Sequence, residues 1–232
     1  MKIIKNLKNK IIVSVQAMPD EPLYKEDCMI AMMQSVITGG AGGLRVAGVR
    51  DVKNAKKLFD IPVIGITKPD KLPENWQEVV YITPTLKDVD ELINANTDII
   101  AFDGTLRKRE CPLKTIIEKI HSANKLAMAD IAIFEEGLNC KKLGVDIIST
   151  TLSGYTKESL TDSKEPDFNL LEKLVKNTNL PIIMEGRIWE PSQVQRAFEL
   201  GAYAVVIGSA ITRPQLITKR FLSKRQKAKG KR

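Results

Sequence analysis

Eight short apolar runs rich in Val and Ile recur along the chain, each followed by a polar loop and then a segment with helical periodicity. They are Ile11–Val15, Leu44–Ala47, Val63–Ile66, Ile99–Phe102, Leu126–Ala129, Ile147–Ser149, Ile182–Met184 and Ala204–Ile207. Strand and helix signals in strict alternation produce a parallel sheet, and strands buried on both faces read as unbroken apolar runs. The intervening helices are expected at Cys28–Thr38, Val52–Phe59, Lys87–Ala95, Lys114–Ala123, Ile133–Leu143, Phe168–Lys176 and Pro191–Leu200, with Gly144 and Gly201 placed as C-terminal caps. Eight units in 232 residues fit one (β/α)8 TIM barrel, a fold of about 250 residues. Val79–Thr83 also reads as a strand; it is taken as part of an excursion, Pro69–Thr85, over the barrel mouth. As a ninth strand it would favour an open doubly wound sheet instead.

Charge divides the chain unevenly. Lys219, Arg220, Lys224, Arg225, Lys227, Lys229, Lys231 and Arg232 stand at the C-terminus with no acid among them. Removing those eight from the 36 basic residues leaves 28, equal to the 28 acidic ones, so the formal charge of +8 belongs to this segment. The expected organisation is therefore a barrel domain over residues 1–218 and a solvated, disordered basic tail over residues 219–232. A nucleic-acid partner is not expected, since the body carries no excess charge. Cys28, Cys111 and Cys140 are odd in number and widely spaced, which suggests neither a disulfide framework nor a zinc knuckle and fits a reducing cytoplasm. No apolar stretch reaches the ~18 residues of a membrane span.

In a βα barrel the residues ending the strands share one mouth, where active sites lie. Here they are Gln16, Arg45, Lys68, Asp103, Asp130, Thr150 with Thr151, Glu185, and Gly208 with Ser209. Glu185-Gly-Arg-Ile after the seventh run and Gly208-Ser-Ala-Ile-Thr-Arg213 after the eighth suit phosphate: Gly186 and Gly208 allow close backbone approach, while Arg187 and Arg213 supply charge. Asp103, Asp130 and Glu185 lack the spacing of a metal site, and none is expected. Gly39-Gly-Ala-Gly-Gly43 follows a helix and precedes a strand, the reverse of a dinucleotide turn. The sole histidine, His121, falls on a surface helix, which argues against histidine-based catalysis.

Val13-Ser-Val-Gln-Ala17, Gly43-Leu-Arg-Val-Ala47, Ile64-Gly-Ile-Thr-Lys68, Tyr81-Ile-Thr-Pro-Thr85, Ala127-Met-Ala-Asp130, Ser149-Thr-Thr-Leu-Ser-Gly-Tyr-Thr156, Glu185-Gly-Arg187 and Val206-Ile-Gly-Ser-Ala-Ile-Thr-Arg-Pro214 together resemble the N-acetylmannosamine-6-phosphate 2-epimerase family. The likeness runs from about Ile11 to Ile217 and leaves out the tail after Phe221. It implies interconversion of N-acetylmannosamine 6-phosphate and N-acetylglucosamine 6-phosphate in sialic acid breakdown, with no redox cofactor. It implies catalytic roles for Lys68 as acid/base and for Glu185, and substrate contacts from Gln16, Arg45, Asp130 and Arg213. The expected phosphate ligands are Gly186, Arg187, Gly208 and Ser209. Thr67 and Ser209 depart from the family pattern, each by a small substitution. The expected partner is thus a small amino-sugar phosphate, a homodimer is left open, and the nearest rivals are other phosphate-binding barrel enzymes, including ribulose-phosphate-type epimerases and thiazole- or pyrimidine-phosphate synthases.

Overall fold

In the computed structural model, which describes residues 2–229 with side chains as far as residue 223, helix and strand alternate throughout. The first half runs α1 (Lys2–Leu7), β1 (Lys10–Val15), α2 (Glu26–Thr38), β2 (Gly43–Ala47), α3 (Val49–Leu58), β3 (Val63–Ile66), α4 (Leu86–Asn94) and β4 (Ile99–Asp103). It continues with α5 (Leu113–Ser122), β5 (Leu126–Asp130), α6 (Phe134–Leu143), β6 (Ile147–Ser149), α7 (Phe168–Asn177), β7 (Ile182–Glu185), α8 (Pro191–Glu199), β8 (Ala204–Ile207), α9 (Ser209–Thr212) and α10 (Pro214–Lys229). Each strand pairs in parallel with the next, and β8 returns to β1 with Ile12 opposite Val206, so the sheet is a closed barrel. That closure rules out the open doubly wound sheet.

Alternate residues of each strand face two different cores. Ile12, Ile64, Ile66, Ile99, Ala101, Met128, Ile147, Ile183, Ala204 and Val206 fill the barrel interior. Their neighbours Val13, Leu44, Val46, Ile100, Phe102, Ala129, Ile148, Met184 and Val205 pack outward against the helices. Water is excluded from both faces, which is why the strands read as continuous apolar runs. Leu7 of α1 joins the interior set with 1% exposure, so α1, which the sequence did not announce, closes the amino-terminal end.

Gly144 caps α6 in the left-handed region at φ +91°, and Gly201 follows α8 at φ +93°, as expected of residues without a Cβ. Val79–Thr83 is not a strand. The ladder between β3 and β4 joins only Ile64 to Ile99 and Gly65 to Ile100. Beyond it the two strands part, and Ile82 and Thr83 enter the gap. Thr83 N–H donates to Thr67 O (3.1 Å), Asp103 N–H donates to Ile82 O (3.0 Å), and the Thr83 hydroxyl donates to Ala101 O (2.7 Å). The β3–α4 loop is thereby laid over the mouth. At the other end of the chain, α10 passes through Lys219, where the tail was expected to begin, while residues 230–232 of that tail lie outside the described residues.

Candidate active site

The carboxyl ends of the strands surround a cavity of about 450 Å³ lined by Gln16, Arg45, Lys68, Tyr81, Thr151, Glu185, Gly186, Arg187, Gly208, Ser209 and Arg213, among others. A second cavity, about 590 Å³, lies beside it under the β6–α7 loop, and of the strand-end charged residues only Arg187 reaches it. The first is therefore the candidate active site.

At its floor Arg45 leaves β2 with 1% exposure and forms a two-pronged ion pair with Asp130 of β5, Nη1 to Oδ1 at 3.1 Å and Nη2 to Oδ2 at 2.7 Å. Asp130 is itself fully buried and does not reach the cavity wall. Glu185 of β7 approaches the same guanidinium, Oε2 to Nη1 at 3.2 Å. The Thr151 hydroxyl lies 2.9 Å from both Asp130 Oδ1 and Glu185 Oε2. One hydroxyl proton cannot serve two carboxylates. Burial, opposed by Arg45 and reinforced by Asp130, accordingly holds the Glu185 carboxyl above the usual range.

Lys68 follows β3 and donates from Nζ to Gln16 Oε1 at 2.8 Å; the Gln16 amide in turn donates to the Ser14 hydroxyl at 2.7 Å. Its hydrogen-bond partner is thus neutral, while both nearby carboxylates are held by Arg45. Burial first and the Arg45 charge second push Lys68 down to about 8, with Arg213 adding to that effect and Glu185 and Asp130 opposing it. The folded state resists protonating Lys68, so folding releases a proton between that value and the unfolded one. Stability of the native protein therefore rises with pH over that interval, and the penalty is complete below pH 8. Lys68→Met removes the penalty and is expected to raise the melting temperature at pH 7 by about 2–4 °C for each kcal/mol relieved, measured by calorimetry; an unchanged or lower value would contradict a strained lysine.

The loops after β7 and β8 form the rim. Gly186 and Arg187 both take positive φ, +109° and +58°, and both line the cavity. The Arg187 guanidinium turns away, donating to the carbonyls of Glu165 (2.7 Å) and Ser153 across the Tyr155 ring. Gly208 faces Ser14, and α9 is tied to β1 through the Thr212 hydroxyl on Ser14 O at 2.9 Å. Arg213 reaches the mouth while paired with Glu21 at 2.7 Å.

Two expected members stand elsewhere. Asp103 does not face the cavity: it is fully buried beneath its own loop, ion-paired with Arg107 and Arg109 and accepting from Thr105. Thr150 is also fully buried and stitches β6 to β7 through Glu185 O (2.9 Å) and Glu185 N (3.1 Å). Tyr81, Tyr155 and Trp189 also line the mouth from loops; Tyr81 and Tyr155 fall within the motifs quoted above but were not assigned to the site, and Trp189 was passed over. Sequence reasoning also passed over Glu21, whose link to Arg213 joins positions 192 residues apart. His121 pairs with Asp146 on the surface, far from this chemistry.

Residues 29–227 match the family described as "Putative N-acetylmannosamine-6-phosphate epimerase". Curated relatives under the corresponding 2-epimerase description include one from Clostridium perfringens, 47% identical over 218 residues, which cover 93% of this chain and 96% of the relative. Another, from Caldanaerobacter subterraneus subsp. tengcongensis, is 45% identical over 227 residues, covering 96% and 94%. A solved structure described as the N-acetylmannosamine-6-phosphate 2-epimerase of Clostridium perfringens superimposes with a TM-score of 0.89 at 45% identity, covering 95% of each chain.

Proposed function

Because the chain belongs to the N-acetylmannosamine-6-phosphate epimerase family, we propose that it interconverts N-acetylmannosamine 6-phosphate and N-acetylglucosamine 6-phosphate, with Lys68 as the acid/base at C2. The observation that carries this reading is the state of Lys68: an amine in the mouth, bonded to a neutral amide and pushed down to about 8, is neutral often enough to take a proton.

The two sugars differ only in configuration at C2, so the reaction needs proton removal and return with no net oxidation. The ring must first open, because the C2 hydrogen is acidic only beside a C1 carbonyl. Glu185, which holds a proton more readily than an ordinary carboxyl, gives it to the ring oxygen as the C1–O5 bond breaks, while the anomeric hydroxyl gives its own proton to solvent, from which Glu185 is reprotonated. Neutral Lys68 then takes the C2 proton and the electron pair moves into the C1 carbonyl, giving an enolate. A proton drawn from solvent to the opposite face of C2 re-forms the carbonyl, Lys68 gives its proton back to solvent, and ring closure, the reverse of the opening step, yields the epimer.

The remaining assignments follow from position. Gln16 and Arg213 meet the substrate directly, and Arg45 presents its charge at the floor. Asp130 acts on it through Arg45 and Thr151. The phosphate is received by the backbone of Gly186, Arg187, Gly208 and Ser209, with Arg213 supplying charge. We assign the enzyme to the cytoplasm: Cys28, Cys111 and Cys140 are unpaired, and no described helix is long and apolar enough to cross a membrane.

Incubation with N-acetylmannosamine 6-phosphate, followed by the anomeric proton signals, tests the reaction. Its rate should carry the signature of the base. Lys68 works only when deprotonated, so kcat/KM is expected to rise with pH and level off above about 8; a profile flat from pH 6 to 9 would exclude Lys68 as the titrating group.

A further inference from the structure

Asp103 and Arg107 form a buried ion pair, with side chains 0% and 4% exposed, that lies outside the catalytic cavity. Burying such a pair carries a desolvation cost that its Coulomb energy offsets only in part. Its placement calls for a reason, and the rest of the Arg107 guanidinium supplies one. Nε donates to the Thr105 hydroxyl at 3.0 Å, and Nη1 reaches the carbonyls of Trp76 (3.3 Å) and Gln77 (3.1 Å) in the β3–α4 loop. The Gln77 carbonyl also accepts from Lys157 N–H at 3.1 Å, and the Lys157 amine meets Glu78 at 2.8 Å. Loops after β3, β4 and β6 therefore meet at one point.

That point fixes Tyr81. Its ring stands edge-on to Trp76, centroids 6.4 Å apart, and Ile82 and Thr83 beyond it are bonded between β3 and β4. Tyr81 and Lys68 line the same two spaces: the mouth, and a neighbouring cavity of about 470 Å³ walled by Pro69, Pro73, Val79 and Pro84. On that side the space beside Lys68 is bounded by this loop. We propose that Arg107 is a positioning residue for the base, clamping the β3–α4 loop so that Tyr81 keeps Lys68 desolvated. The inference rests on the reading of Lys68 as the base.

The other groups facing Lys68 are Gln16 after β1, Arg45 of β2, Asp130 of β5, Glu185 of β7 and Arg213 after α9; Lys71 and Tyr81 of the β3–α4 loop and Asp88 of α4 share the neighbouring cavity with it. Arg107→Lys alters none of them and leaves a cation for Asp103, but a single ammonium cannot span Asp103 and two carbonyls as the planar fork does. The variant is therefore expected to fold while its loop loosens. The Lys68 side-chain resonance, identified by its loss in Lys68→Ala, is titrated by NMR in wild type and Arg107→Lys, beside the pH profile of kcat/KM. The expected result is a midpoint raised by about one unit or more, with kcat/KM near pH 7 falling about tenfold per unit. An unmoved midpoint overturns the proposal, even if kcat or thermal stability falls. A midpoint that rises without the rate profile following upholds the clamp and removes Lys68 as the base.

Discussion

Replacing Lys68 with alanine is expected to lower kcat by about 10²–10⁴-fold, the range that a positioned acid/base contributes, with KM little changed. The amine is the only described group in the mouth that combines a neutral hydrogen-bond partner with a value pushed down to about 8. Lys68→Arg separates two explanations. It keeps a cation, but a guanidinium does not deprotonate in proteins, so it should be as inactive as the alanine variant. Activity retained by arginine would mean that Lys68 serves as a charge, and the C2 base would have to be sought among the carboxyls.

The second large effect falls on the fold. Asp130→Ala is expected to destabilise the protein by roughly 3–5 kcal/mol, because removing one partner of a buried pair leaves the other charge uncompensated. Arg45 is 1% exposed, and its Nε already lacks a partner among the described residues. After the substitution only Glu185 would face it, through a single nitrogen at 3.2 Å. At 2–4 °C per kcal/mol the melting temperature should fall by on the order of 10 °C, and calorimetry checks it. A drop of a degree or two would mean that the pair is hydrated in solution and that the floor of the mouth is not the dry site described above.

The barrel was legible because its physics is periodic. Each strand buries both faces, so its apolar run stands out from the polar loops around it, and eight such runs admitted few architectures. The strand ends were misjudged by one residue wherever the last was a carboxylate. Asp103, Asp130 and Glu185 stand just past the apolar runs, yet they stay in the ladder opposite Asp130, Ser149 and Val206. Burial pairs those charges with arginines, and no local pattern reports that. α1 lies ahead of the first apolar run and was not expected, although Ile3, Ile4 and Leu7 carry helical spacing and meet the barrel interior. The segment from Lys219 is basic and lacks apolar periodicity, which suggests a solvated tail; α10 runs into it as far as Lys229, and Lys and Arg are good helix formers.

The site was legible in part for the same reason. Position at a strand's end identified Gln16, Arg45, Lys68, Asp130 and Glu185 as neighbours, and the structure brings them together. It could not show that Asp103 is turned aside, although Arg107 and Arg109, four and six residues on, were the available signal. Tyr81 depends on a loop whose course is set by contacts with Arg107 and Lys157, 26 and 76 residues further along the chain. Links of that length leave no trace in spacing.

Deprotonation at C2 is the core of this account, and a proton NMR time course with N-acetylmannosamine 6-phosphate in D2O tests it most directly. The expected result is N-acetylglucosamine 6-phosphate carrying deuterium at C2, absent in the Lys68→Ala variant. Product that forms while retaining its C2 proton would contradict the deprotonation mechanism, and no turnover by the wild type would contradict the assigned reaction itself.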